Sequence, residues 1–137
     1  MKRKILFTII VIGLGAVAAG AYLFNKPRPS VSDMTPQAIV EAKSLVAEFE
    51  SDELKSNEKY LGKVIEVTGI VDITSKNEKG EINITLRGGD LGGVGCQFEK
   101  NKMDLLKNIT TGNTVTIKGI CTGILIDVVL VDCVISG

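Results

Sequence analysis

The sequence predicts an all-β domain with short helices, its five strands closed into a small Greek-key barrel. An N-terminal transmembrane helix and one amphipathic helix precede it. Three observations carry this prediction. An unbroken apolar run follows a basic cluster at the start of the chain; apolar residues then recur at helical spacing between Ile39 and Phe49; and from Gly62 the period falls to two, with glycine-containing breaks separating five alternating segments.

Met1-Lys2-Arg3-Lys4 is followed by twenty uncharged residues, Ile5 to Phe24, and then by Asn25-Lys26-Pro27-Arg28-Pro29. At about 1.5 Å per residue the run spans about 30 Å, the thickness of a hydrocarbon core. The Lys-Arg-Lys cluster orients it with the N-terminus inside, and Tyr22 and Phe24 stand at the trailing edge, where aromatic rings sit at the interface. A cleaved signal peptide is the alternative, because Ala16-Val17-Ala18 and Ala19-Gly20-Ala21 offer small residues at the positions a signal peptidase reads. Both alternatives export the remainder. No cysteine follows the apolar core, which excludes lipoprotein acylation there. The layout is a cytoplasmic basic tail over 1–4, an anchor or signal peptide over 5–24, a polar linker over 25–34, and the barrel domain with its own N-terminal helix over 35–137.

Charge is partitioned along the chain. The formal total is zero, yet five basic residues lie before position 30 and every acidic residue lies after it, which leaves eleven basic against sixteen acidic from Ser30 onward, a net charge of minus five. Such a domain repels polyphosphate partners. The chain has no histidine, so the commonest general base, proton shuttle and transition-metal ligand is missing. Cys96, Cys121 and Cys133 form no CxxC pair, and neither a zinc site nor a dithiol redox motif has its spacing. No metal and no cofactor is therefore expected.

Thr35-Pro36 opens the amphipathic helix, with Thr35 as N-cap and Pro36 at the first helical position; Ile39, Ala42, Leu45, Val46 and Phe49 form its apolar stripe. Glu48, Glu50, Asp52 and Glu53 then make a solvated acidic face. The first strand is Lys63 to Val71, with Lys63, Ile65, Val67, Gly69 and Val71 inward. A turn at Asn77 to Gly80 leads to a second strand with Ile82, Ile84 and Leu86 inward. Gly88 to Gly93 reads as a mobile connection, since no helix start and no Lys-Ser/Thr pair follows to make it a phosphate cradle. The third strand carries Val94, Cys96 and Phe98 in phase. Lys102 to Asn108 is a short helix plugging a barrel end with Met103, Leu105 and Leu106. The fourth strand, Thr114 to Cys121, puts Val115, Ile117, Gly119 and Cys121 inward. After a reversal at Gly123 to Ile126, the fifth, Asp127 to Ile135, puts Val129, Val131, Cys133 and Ile135 inward. Three strands, a helix and two strands is the order of a five-stranded OB-type Greek-key barrel, and glycines inside strands at Gly69 and Gly119 suit its bends.

Asn57 to Lys63 (NEKYLGK), Val64 to Gly69, Val115 to Gly123 (VTIKGICTG) and Asp127 to Leu130 with Cys133 together resemble the tRNA_anti-like family of bacterial OB-fold proteins, many of them exported or membrane-anchored. The resemblance runs from about Ser32 to Ile135. It implies fold and location; the family has no assigned activity, and its likeness to synthetase anticodon-binding domains is one of fold.

Three functions compete. A non-catalytic module at the membrane would bind a protein, peptide or glycan on the barrel face, at Asn83, Thr85, Arg87 and Gln97 beside the Gly88 to Gly93 loop. Tyr60 is a further candidate at the strand entrance. Single-stranded nucleic-acid binding would need stacking aromatics among basic residues, and the exported part has only Phe49, Tyr60 and Phe98, two of them in core phase. An enzyme would need paired carboxylates or a cysteine nucleophile, and the cysteines fall in core phase. The first reading is the expectation; nucleic acid is not an expected partner. Strand three lies beside strand five in the OB order, so Cys96 and Cys133 are the expected disulfide; Cys96 with Cys121, or three free thiols, remain open.

Overall fold

The computed structural model describes residues 2–25, 30–90, 92–99 and 103–136. Helix α1 covers Lys2–Asn25. It is long and apolar enough to cross a membrane, and none of its candidate span is buried. Thr8 Oγ1, within the apolar run, returns a hydrogen bond to the Lys4 carbonyl at 2.9 Å, so that polar group is satisfied within the helix.

A single 3₁₀ turn, Val31–Asp33, begins the domain, inside the stretch expected to be linker. Val31 is buried against Val64 and Val134, with Met34 and Ile120 beside them. Lys118 Nζ fastens the turn by donating to the carbonyls of Ser32 at 3.0 Å and Met34 at 2.9 Å. The rest runs β1 (Ala38–Glu41), α2 (Ala42–Ser51), α3 (Glu53–Tyr60), β2 (Val64–Lys76), β3 (Ile82–Leu86), β4 (Val94–Phe98), α4 (Met103–Leu106), β5 (Thr114–Ile124) and β6 (Val128–Ile135). The sheet order is β1-β2-β3-β4-β6-β5, and β5 returns to pair with β2. β2 to β6 thus close the predicted five-stranded barrel, and β1 is an addition to it.

Strand β1 corrects the expected helix start. Residues 38–41 pair in parallel with Ile65 to Thr68, and the Gln37 N–H donates to the Val64 carbonyl at 2.8 Å, so Thr35 caps no helix and Pro36 precedes none. β3 pairs only with the second half of β2, Val71 to Lys76, and the first half has a free edge that these four residues fill. Ile39, assigned to the apolar stripe, is consequently 72% exposed, whereas Ala42, Leu45, Val46 and Phe49 are buried as expected. Ala42 lands on Gly69, where a Cβ would stand 2.8 Å from the Ala42 Cβ. The acidic stretch after α2 contains a second helix. Asp52 Oδ1 accepts from the Lys55 N–H at 3.1 Å and caps α3, an element hidden by its almost wholly polar sequence.

The inward residues of β2 to β5 follow the predicted parity: Ile65, Val67, Val71, Ile84, Leu86, Val94, Cys96, Phe98, Val115, Ile117 and Cys121 are all buried. β2 continues beyond Val71 through a register shift to Lys76, and Asn77 to Gly80 makes the predicted turn. In α4, Leu106 joins the core; Lys102 and the side chains of Met103 and Leu105 lie outside the described residues. In β6 the predicted parity fails in the first half. Val128 and Leu130 are the buried residues there, while Val129 and Val131 are half-buried. Asp132 has φ 53, and two residues, Asp132 and Cys133, fit between the pairs Ile120↔Val131 and Lys118↔Val134, opposite Gly119 alone. This bulge reverses the alternation and returns Cys133 to the core. Gly119 makes room for it, since a Cβ there would stand 2.6 Å from Cys133 Sγ.

Candidate functional site

With Ile84 and Leu86 turned inward, β3 presents Asn83 and Thr85 outward. Asn83 pairs with Gln97 of β4 and Thr85 with Gly95. Arg87, just beyond β3, continues the same parity and donates from Nε to Asp72 Oδ1 at 3.2 Å. Four of the expected site residues thus share one outer face. Tyr60 does not join them. It is fully buried against Phe49, ring centroids 6.0 Å apart, with Lys59 Nζ 4.9 Å above its ring. Its hydroxyl points toward Glu48 and Lys59 without a hydrogen bond of full geometry. Glu48 is held below the usual carboxylate range by the Tyr60 hydroxyl and by Lys59, with which it forms an ion pair at 3.2 Å. Tyr60 is therefore a packing residue that ties α2 to α3, because the helix missed in the sequence covers the position expected to be a strand entrance.

Beside the outward face lies a cleft of about 490 Å³ whose walls include Thr85, Arg87, Asp72, Lys43 and Asp127, with glycines 88, 89, 92 and 93 as its rim. A smaller cleft of about 290 Å³ adjoins it on the β1 side, and Lys43 and Arg87 line both. Asn83 and Gln97 line neither. A larger crevice of about 540 Å³ between α2 and α3 is lined only by exposed or paired polar side chains and the buried Ser56, away from the barrel strands.

The glycine loop reads from the sequence as a mobile connection; in the structure three of its described glycines lie very close to neighbouring atoms. A Cβ on Gly88 would stand 2.5 Å from Val46 Cγ2 and 2.6 Å from the Gly92 carbonyl oxygen, and one on Gly93 would collide with the Leu86 carbonyl. A Cβ on Gly92 would stand 2.6 Å from the Ile126 carbonyl oxygen. Asp127 Oδ1 accepts from the Gly93 N–H at 2.8 Å, and the Gly93 carbonyl accepts from the Val128 N–H at 3.0 Å. Glycine is required here for close approach of backbone to backbone, a need that composition alone does not distinguish from flexibility. Leu91 lies outside the described residues.

The cleft offers two cations, Lys43 and Arg87, among three carboxylates, Asp72, Asp90 and Asp127. This set is mixed, with one more carboxylate than cations, and it suits a polar ligand read by hydrogen bonds better than a polyanion. All three aromatic residues of the domain are in the core, Phe49 and Phe98 at 2% exposure and Tyr60 at 0%. The three cysteines are buried free thiols. Cys96 is pushed well above the ordinary thiol range by its hydrogen bond with the Cys133 thiol and by burial, and Cys121 is raised by burial despite a backbone hydrogen bond at Gly123. Cys121 stands opposite Leu130 in the β5–β6 pair, out of register with Cys133. Among the described residues no group of three or more His, Cys, Asp or Glu side chains could hold a metal ion. Sequence reasoning missed Lys43, Asp72 and Asp127. Only Asp127, directly after a turn and before a strand, carried a local signal.

A family model described as tRNA_anti-like matches residues 1–135. Among solved structures, the chain is similar to a lipoprotein of Klebsiella pneumoniae subsp. pneumoniae provisionally described as nucleic acid-binding: TM-score 0.62, 17% identity, 80% of this chain and 100% of that one covered. It is also similar to a protein of Leishmania major provisionally described as an aspartyl-tRNA synthetase, with TM-score 0.48, 17% identity, and 76% of this chain but 21% of that chain covered. A further match is an OBody bound to hen egg-white lysozyme, with TM-score 0.44, 12% identity and coverage of 80% and 94%. No curated protein matches.

Proposed function

The chain belongs to the tRNA_anti-like family, and from that premise we propose that it is a membrane-anchored, non-catalytic OB-fold module that binds a polar segment of a protein, peptide or glycan. The binding site in this reading is the cleft between the outward face of β3 and the Gly88 to Gly93 loop, with Thr85 and Arg87 as hydrogen-bond donors and Asp127 holding the rim in shape. The observation that carries it is the pairing of a close-packed, mixed-charge cleft with a barrel whose aromatics are all in the core. Base stacking contributes roughly 1–3 kcal/mol per nucleotide where aromatic platforms exist, and these rings are occupied elsewhere. The net acidity of the domain points the same way.

Anchoring rests on α1 and on the Lys2-Arg3-Lys4 cluster, which orients the domain outside the cytoplasmic membrane. The Klebsiella protein of the same fold is described as a lipoprotein; here the apolar segment itself takes the anchoring role. That protein's description also favours the second reading, single-stranded nucleic acid. Retention of the detergent-solubilised full chain on immobilised single-stranded RNA and DNA at low salt tests the two. The expected result is no retention. Retention that falls steeply as salt rises, and is lost in Lys43→Ala and Arg87→Ala chains, would replace the proposal with the nucleic-acid reading.

A further inference from the structure

Leu125 and Ile126 occupy the β5–β6 turn and are 89% and 81% exposed. Two consecutive large aliphatic side chains standing in water need a reason, and here the backbone holds them out. The Leu125 N–H donates to the Asp127 carbonyl at 3.1 Å, the Ile126 carbonyl lies over Gly92, and the Asp127 carboxylate fixes the Gly93 N–H at 2.8 Å. A third aliphatic side chain adjoins them. Leu61, 50% exposed at the end of α3, lies against Gly123, where a Cβ would stand 3.6 Å from Leu61 Cδ1. Leu54, in the first turn of α3, is a further exposed aliphatic side chain at 79%.

The position of the tether bears on what could cover this ridge. The domain begins at Ser30, and the following 3₁₀ turn is fastened to β5 through Lys118. From there β5 runs past Cys121, which exchanges backbone hydrogen bonds with Gly62 and Lys63 beside Leu61, to the turn at Leu125. Attachment, Leu61 and the Leu125-Ile126 pair therefore follow one strand. Residues 26–29 connect α1 to the domain, and the five Cα steps from Asn25 to Ser30 reach at most about 18 Å. A domain held this close to a bilayer meets that surface at high effective concentration, and the side bearing the tether faces it with least reorientation.

We infer that the β5–β6 turn, on the side of the barrel that β5 shares with the tether, docks on the bilayer that holds α1, with Leu125 and Ile126 inserted among the acyl chains and Leu61 at the interface. This rests on the anchored reading above. The charges flanking these side chains are of both signs, Glu53 and Lys55 beside Leu54, Lys63 beside Leu61 and Asp127 beside Ile126, so insertion is carried by apolar contact; it needs no anionic lipid and does not weaken with salt. Docking in this pose would hold the neighbouring cleft, which shares Asp127 and Gly92 with the turn, at the membrane surface.

The chain contains no tryptophan, so single tryptophans report position without background. Full-length chains carrying Leu14→Trp, Ile126→Trp or Lys79→Trp are reconstituted into phosphatidylcholine vesicles with brominated acyl chains. Leu14→Trp tests the anchor, and Lys79→Trp, on the turn before β3, is the solvent control. The expected result for Ile126→Trp is a blue-shifted emission that loses about half its intensity when the bromines lie near the headgroup end, at the depth interfacial groups reach. It should be equal in zwitterionic and anionic vesicles and at high salt, with Lys79→Trp unaffected. Water-like, unquenched emission from Ile126→Trp beside quenched Leu14→Trp leaves the anchor standing and overturns the docking. A blue shift without quenching that grows with protein density assigns the ridge to a second copy and also overturns it. Unquenched Leu14→Trp removes the anchor, and the docking with it.

Discussion

Replacing Gly69 by alanine tests how the added strand and helix α2 are seated on the barrel. The new Cβ would stand 2.8 Å from the Ala42 Cβ, 3.2 Å from the Leu86 Cβ and 3.3 Å from Leu86 Cδ1. Carbon atoms pack best at roughly 3.5–4.0 Å, so the start of α2 must retreat from β2 by about 1 Å, or Leu86 must leave its rotamer. Overpacking of this kind costs about 1–3 kcal/mol, and the reduced freedom of the unfolded chain returns about 0.4–1 kcal/mol of it. The midpoint of thermal unfolding should fall by about 4–8 °C for each kcal/mol that remains. Ala42→Gly alone loses one buried methyl, about 0.8 kcal/mol, and adds a helix penalty of up to about 1 kcal/mol. In the double variant the new methyl occupies the space the old one left. The two losses should therefore fail to add, with a coupling of about 1–2 kcal/mol in favour of the pair. Denaturant unfolding of the four chains, followed by circular dichroism in one detergent, measures this. Strict additivity would show that Ala42 does not rest on Gly69 and that the start of α2 is not seated on β2 there.

Three further outcomes follow from the site and the core. Asp127→Ala should cost about 1.5–3 kcal/mol through the lost charged acceptor for the Gly93 N–H. Amide exchange should accelerate at Gly92 and Gly93 more than elsewhere, and Asp127→Asn, which keeps an acceptor oxygen, should restore most of the protection; equal exchange in all three chains would refute the clamp. The Cys96 and Cys121 thiols are raised in the folded chain, so their contribution to stability is complete below the unfolded thiol pKa, near 8.5, and is lost as pH rises above it. Unfolding titrations should show that decline, flattened in a Cys96→Ala chain; stability constant or rising above that pH contradicts the sign. Where a disulfide-donor protein oxidises the chain, reducing its own bridge to two thiols, Cys96 and Cys133 are the pair that joins. Peptide mapping without reduction should find Cys121 alone alkylated, and a bridge containing Cys121 would be inconsistent with the register.

The barrel strands were legible because their alternation reports burial directly. Ile65, Val67 and Val71 in β2 and Val115, Ile117 and Cys121 in β5 are apolar at every second place and inside. β1 was not legible, because four residues beginning Ala-Ile-Val fit a helical stripe as well as a strand, and only the free half-edge of β2, a tertiary circumstance, decides between them. The polar sequence of α3 gave no periodicity to read, and its cap, Asp52, looked like one more member of an acidic run. In β6 a single residue with positive φ, Asp132, shifted the phase. The outward face of β3 and β4 could be anticipated as far as Asn83, Thr85, Arg87 and Gln97. Lys43, Asp72 and Asp127 could not, since they reach the cleft from three other parts of the chain.

The binding site itself is tested most directly by placing a photo-crosslinking amino acid at Thr85 in the full-length chain and irradiating it in its native membranes. A parallel chain carries the probe at Lys79, outside the cleft. The adducts are then identified by mass. A polar binding cleft predicts a discrete peptide or glycan adduct at position 85, absent at position 79 and lost when Arg87 is replaced by alanine. Nucleotide adducts at position 85, or the same adducts at both positions, would contradict it.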